Sequence, residues 1–127
     1  MEERQVADGI ADAVTALREA GASFAYLHGS RVTGAARDPS DIDLAAFFGT
    51  DPPQAFEVLL PPAVDLLVLD RAPLELAGRI ALMGQLVFED DPAVRVRWEA
   101  TTRKIYLDEL PRIQRAHREF VASVLDG

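Results

Sequence analysis

The chain has 127 residues, a formal net charge of −8 and no cysteine. That length suits a single domain spanning 1–127 with one core of its own, and the missing thiols exclude disulfides, cysteine zinc sites and thiol nucleophiles, leaving oxygen atoms, His28 or His117 as metal donors. An acidic chain lacks the basic face that grips a long nucleic acid, and with no apolar run near ~18 residues and no basic leader the expectation is a soluble, cytoplasmic protein that contacts neither membrane nor nucleic acid directly. A small nucleotide carrying its own cations, or a basic protein partner, suits such a chain better.

Taken in order, residues 3–20 set Val6, Ile10, Val14 and Leu17 at helical spacing, with Gly21 as a stop. Residues 23–28 (SFAYLH) alternate like a strand and deliver the chain to Gly29-Ser30, with His28 at the strand end as a packed or solvated side chain beside the site. Residues 41–48 (DIDLAAFF) start charged and end apolar, as a strand does when its first turn opens into a cleft. A short helix is predicted over 54–60, then a strand over 63–69 (AVDLLVL) interrupted only by Asp65. Pro73 opens a helix that Gly84 closes, and residues 86–88 suit a small edge strand. Asp91 before Pro92 reads as an N-cap, so the Glu89-Asp90-Asp91 cluster reads as helix capping in preference to metal binding. Residues 92–125 are helical in pattern through Val94, Trp98, Ile105, Ile113, Phe120 and Val124, and Pro111 predicts two pieces meeting near 108–110. Arg95, Arg97, Arg103, Lys104, Arg112, Arg115 and Arg118 make this the one relatively basic segment, with His117 as a surface or interface residue. The apolar residues here exceed what a lone helix pair needs for its own core, so part of this face is expected to dock a partner.

The chemistry concentrates in residues 29–43, which read Gly29-Ser30, ten residues, then Asp41-Ile42-Asp43. On an extended strand Asp41 and Asp43 share a face, ~6.5–7 Å apart at Cα, where they can close on a pair of divalent cations ~3.5–4 Å apart that clamp a phosphoryl displacement. Gly29 admits a phosphate close to the backbone and the Ser30 hydroxyl can donate to it. Arg31 or Arg37 can reach a phosphate from the ten-residue insert, with surface ion pairing as the alternative. An acid inside an apolar strand is expensive unless compensated. A strand laid beside 41–48 would bring Asp65 to the face of the other acids, where a metal supplies the positive charge; a salt bridge or a strand end open to water is the alternative. Magnesium suits such carboxylates because it takes oxygen ligands and keeps waters for substrate phosphates.

The pattern Gly29-Ser30-x10-Asp41-Ile42-Asp43 followed by Asp65 resembles the nucleotidyltransferase superfamily that includes DNA polymerase beta. The short length, GSRVTGAARDPSDIDL, VDLLVLD before APLELAGRI, and FEDD followed by WEATTRKIYLDELP resemble, across nearly the whole chain, the minimal nucleotidyltransferase antitoxins of HEPN/MNT toxin–antitoxin pairs. The resemblance implies an α+β fold, a small mixed sheet flanked by helices. It further implies that Asp41 and Asp43 hold two magnesium ions, that Asp65 binds the ion activating the incoming hydroxyl, and that Gly29 and Ser30 hold the ATP phosphates; manganese as a substitute ion and Arg37 as a further phosphate ligand are expected from the residues themselves. The implied reaction transfers AMP to a tyrosine of a HEPN toxin, the partner that the face of the C-terminal helices is expected to dock in part. Two other readings share the sequence: an aminoglycoside-type small-molecule nucleotidyltransferase, which generally needs a further substrate domain, and a non-catalytic antitoxin that masks its partner, which degenerate acids would favour.

Overall fold

The computed structural model describes residues 2–29 and 42–126. Helix α1 (Glu2–Glu19) leads into strand β1 (Phe24–His28). Strand β2 (Ile42–Phe47), a 3-10 turn (Ala55–Glu57), strand β3 (Val64–Val68), a second 3-10 turn (Leu69–Arg71), helix α2 (Leu74–Met83), strand β4 (Gln85–Glu89) and helix α3 (Pro92–Asp126) follow. The strands form a mixed sheet in the order β3-β2-β1-β4, with β1 antiparallel to both its neighbours and β2 parallel to β3. A parallel pair cannot be joined by a tight turn, and residues 48–63 make that crossover. The mixed sheet flanked by helices matches the expected architecture; the predicted helix over 54–60 is only the 3-10 turn, because Pro52, Pro53, Pro61 and Pro62 crowd it from both sides.

Side-chain alternation gives the sheet two apolar faces. On one, Ala25, Leu27, Ile42, Leu44 and Ala46 pack under Ala13 and Leu17 of α1, with Val6, Ile10 and Val14 half-buried at the margin, as the helical spacing predicts. On the other, Phe24, Tyr26 and Ala45 lie beneath Leu76 and Ile80 of α2 and Val94 and Trp98 of α3. Phe24 stacks on Phe47 at 5.3 Å between ring centroids, and Trp98 stands 5.5 Å from Phe24 and 5.8 Å from Tyr26. Trp98 is half-buried, packed against this cluster.

Helix α3 differs from expectation in two ways. It runs unbroken through Pro111 rather than splitting near 108–110. Proline takes a helical φ readily, and the carbonyl of Leu107, four residues back, loses its N–H partner on an exposed stretch where water replaces it. Its inward positions are also Thr102 and Tyr106, while Ile105 is exposed. The contact that selects this face is Gly78 of α2: a Cβ there would lie 2.1 Å from Cγ of Tyr106, so the ring occupies the space glycine leaves. Arg103 Nε donates to the Ala81 carbonyl at 2.6 Å, placing a cation at the C-terminal end of α2.

The acidic cluster before α3 is structural, as read. The Val94 N–H donates to Asp91 Oδ1 at 3.2 Å, Arg95 Nε donates to Glu89 at 2.6 Å, and Arg18 pairs with Asp90 at 3.0 Å. A further carboxylate, Asp70, accepts from the Phe48 and Gly49 N–H groups at 3.0 and 2.7 Å and fixes the far end of β2. No helix among the described residues is long and apolar enough to cross a membrane.

Tyr26 carries the main polar group under the helical layer. Its hydroxyl donates to Glu99, which also pairs with Arg103 at 2.8 Å and Arg95 at 3.2 Å. Burial first, then the hydrogen bond and charge of Glu99, push the phenol well above its ordinary value. A folded-state pKa raised above the unfolded value of ~10 contributes stability that is complete below that pH and is lost as pH rises beyond it. In a Tyr106→Phe background, the phenolate absorbance of Tyr26 should emerge only together with loss of the near-ultraviolet circular dichroism. Ionisation near pH ~10 with the tertiary signal intact would show that burial does not hold the proton.

Candidate active site

Three polar side chains end the alternation on the α2/α3 face of the sheet. His28 closes β1 after Phe24 and Tyr26, Asp43 precedes Ala45 on β2, and Asp65 precedes Leu67 on β3. The register pairs His28 with Asp43 and Asp43 with Asp65, so the three are direct neighbours across adjacent strands spaced ~4.8 Å apart. Asp43 is half-buried and Asp65 exposed, which sets one carboxylate at the floor of the site and the other at its rim. Among the described residues neither pairs with a lysine or arginine.

Gly29 follows His28 with φ +76°, a left-handed conformation that favours glycine. A Cβ at this position would come within 2.7 Å of Asp43 Oδ2. The glycine thus does two things: it turns the chain out of β1 and lets the Asp43 carboxylate lie against the backbone. Burial holds the His28 imidazole below its ordinary pKa, while the Asp43 charge and a hydrogen bond with the Leu44 backbone pull the other way.

Of the residues expected at the site, Gly29, Asp43 and Asp65 are brought together, and the predicted placement of the 63–69 strand beside β2 holds. Ser30, Arg31, Arg37 and Asp41 lie outside the described residues. Among the described residues no group of three or more His, Asp or Glu side chains forms a cation cage. The donors that are described fit a divalent cation in kind: adjacent oxygen ligands, one half-buried, with no described cation already neutralising them. His117 is exposed, far along α3, and lines a groove with Glu75 and Arg79. Sequence reading missed the wall of the site. Leu76, Arg79, Ile80 and Met83 of α2 line a cavity of about 280 Å³ with His28 and Gly29. Their spacing signals only a helix, and which element it faces is a tertiary matter.

These acids sit at one end of the parallel β2–β3 pair of a mixed sheet. The family described as "Polymerase beta, Nucleotidyltransferase" matches residues 15–93, more than half of the chain, and the chain belongs to that family. It is a nucleotidyltransferase. Among solved structures, a toxin–antitoxin complex with AMP-PNP aligns with a TM-score of 0.64 at 18% identity, covering 91% of this chain and 98% of that one. The MntA–HepT toxin–antitoxin aligns with a TM-score of 0.64 at 18% identity over 94% and 98%. A complex of a tri-AMPylated Shewanella oneidensis HEPN toxin with an MNT antitoxin aligns at 0.55 and 18% over 92% and 99%. At such identity the likeness establishes the fold. No curated protein matches the sequence.

Gly29→Ala tests the site's geometry. The substitution forces an L residue into a left-handed conformation, at ~1–2 kcal/mol, and drives Asp43 from its place. Expected are a lower melting temperature and a loss of metal-dependent nucleotide binding. Unchanged values for both would mean that the close approach of Gly29 to Asp43 has no consequence.

Proposed function

We propose that the chain is a magnesium-dependent protein adenylyltransferase acting as an antitoxin, one that transfers AMP from ATP to a tyrosine hydroxyl of a HEPN toxin. The observation that carries this reading is the register that sets Asp43 beside Asp65 next to Gly29. The family match supports nucleotidyl transfer, and likeness over nine-tenths of the chain to toxin–antitoxin complexes, one with an AMPylated toxin, supports the acceptor.

In this reading Asp41, Asp43 and Asp65 would together hold the divalent cations, with Asp65 serving the acceptor side. Bound magnesium supplies charge neutralisation at the phosphates and lowers the pKa of the attacking hydroxyl. Gly29, Ser30 and Arg37 hold the triphosphate, Gly29 by offering bare backbone. The acceptor oxygen bonds to the α-phosphorus as the bond from that phosphorus to the α–β bridging oxygen breaks. Pyrophosphate leaves, and the tyrosine proton passes to solvent on the exposed Asp65 side. An ATP-consuming transfer to a toxin places this work in the cytoplasm.

Partner docking falls to the distal half of α3. Every residue from 114 to 126 is exposed, and Phe120, Val121, Val124 and Leu125 form an apolar strip on consecutive turns. A helical segment of that length gains little from its own hydrogen bonds in water, where ~12–15 residues are marginal; a partner helix covering the strip would stabilise it. Half-buried Ile113 continues the strip toward α2, and exposed Arg112 and Arg115 flank it.

Two experiments check these assignments. Asp43→Asn or Asp65→Asn should lower AMP transfer by about a hundredfold or more while the fold survives, and a chelator should abolish transfer in the native chain. Near-native turnover in either variant, or transfer in excess EDTA, sinks the mechanism. Separately, Phe120→Asp with Val124→Asp, or charge reversal at Arg112 and Arg115, should weaken the partner complex by ~2 kcal/mol or more with ATP binding intact. Calorimetry of both equilibria separates them, and unchanged partner affinity would move the docking surface off α3.

A further inference from the structure

The crossover between β2 and β3 carries the two most exposed large apolar side chains among the described residues, Phe56 at 84% and Leu59 at 90%. Their neighbours go to the core: Val58 is buried in the cluster that α1 covers, and Leu60 and Ala63 pack against it. The segment is braced in this form. Arg71 donates to the Pro52 and Pro53 carbonyls, Asp70 accepts from the Phe48 and Gly49 N–H groups, and the Glu57 carboxylate closes the 3-10 turn on the Gln54 N–H at 2.9 Å. Pro52, Pro53, Pro61 and Pro62 fix φ on either side. An apolar pair held outward on a braced segment loses little conformational freedom when a partner covers it.

Charge selects the partner. The sequence has no lysine, arginine or histidine between Arg37 and Arg71, and Arg71 is turned onto the proline carbonyls. Asp51, Glu57 and Asp65 are exposed along the same stretch, and among the described residues none of them has an ion-pair partner. A nucleic acid or an anionic lipid surface is repelled by such a rim. A second copy of the chain meeting ridge to ridge would set the same carboxylates against one another. The surface that fits is a protein's apolar patch framed by lysine or arginine.

Position ties this ridge to the chemistry. Leu59 precedes Asp65 by six residues, which puts their Cα atoms at most ~20–22 Å apart, and the turn closed by the Val64 N–H on the Pro61 carbonyl at 3.0 Å shortens that span. Because β3 ends the sheet order, the ridge and the Asp65 rim open at the same margin of the sheet. An interface of ordinary size, ~800 Å² on each partner, is ~30 Å across, so one protein seated on the ridge reaches Asp65 as well. Resting on the nucleotidyl-transfer reading, we infer that Phe56 and Leu59 dock the basic side of the acceptor protein and bring its hydroxyl to the Asp65 edge of the site. This surface is separate from the strip on the distal half of α3.

The test uses Phe56→Ser with Leu59→Ser, which removes the anchors and leaves the core untouched, as a melting curve checks. Leu59→Ser alone, at the more exposed position, keeps the test valid if the pair lowers the melting temperature. The cognate HEPN toxin and, separately, a non-hydrolysable ATP analogue with magnesium are titrated calorimetrically into the native chain and both variants, at low and at high salt. Expected are a loss of about tenfold or more in toxin affinity in the paired variant, a higher KM for the toxin with kcat unchanged, unaltered analogue binding, and a native complex that weakens as salt rises. Unchanged toxin affinity in a folded variant, a native complex indifferent to salt, an equal loss of analogue binding, or a native dimer that the substitutions dissolve would each overturn the docking assignment and leave the transferase reading standing. A native chain that binds the toxin and the analogue but transfers no AMP would overturn the transferase reading, and with it the delivery of an acceptor hydroxyl.

Discussion

Two carboxylates side by side on one face of a sheet constrain the rest of this molecule. Like charges ~5 Å apart repel by roughly 1–3 kcal/mol between water-like and protein-surface screening, and directly opposed like charges destabilise a sheet. Asp43 and Asp65 nevertheless sit in register. Hydrophobic patterning enforces the pairing. Shifting β3 by one residue would turn Val64, Leu66 and Val68 out of the core beneath α1 and put Asp65 into it. Burial of three apolar side chains outweighs the local repulsion, so the fold itself keeps the two carboxylates side by side.

The other parts of the site lean on that pair. Gly29 clears space for the Asp43 carboxylate, and the left-handed turn it permits ends β1 where the acids begin. Asp70 anchors the opposite end of β2 through two backbone N–H groups. On the helical side, Gly78 lets Tyr106 bring α3 down onto α2, and Trp98 and Ile80 press both helices onto Phe24 and Tyr26. The position of α2, and with it the cavity at Gly29, follows from this packing.

The same helix α3 changes its surroundings along its length. Its first half is a structural beam, tied by Glu99 to Arg95, Arg103 and Tyr26. Its second half buries nothing in the chain's own core, yet it carries large apolar side chains. One sequence pattern, continuous in its helical repeat, thus covers a packed stretch and then an exposed one.

Much of this was legible in the residues alone. The period of Val6, Ile10, Val14 and Leu17, the alternation in FAYLH and DLAAF, the turn at Gly29 and the Asp91-Pro92 cap are local chemistry, and local chemistry determines element type. Asp65 could be matched to the site because an acid in an apolar strand demands a partner. Tertiary structure alone decided that α3 passes through Pro111, since only exposure makes the lost hydrogen bond tolerable. It alone turned Thr102 and Tyr106 inward in place of Ile105, because the glycine that receives Tyr106 lies on another helix. Asp70 as an anchor, Trp98 packed against Phe24 and Arg79 beside Gly29 belong to the same class: each depends on which surfaces meet, and no spacing along the chain encodes that.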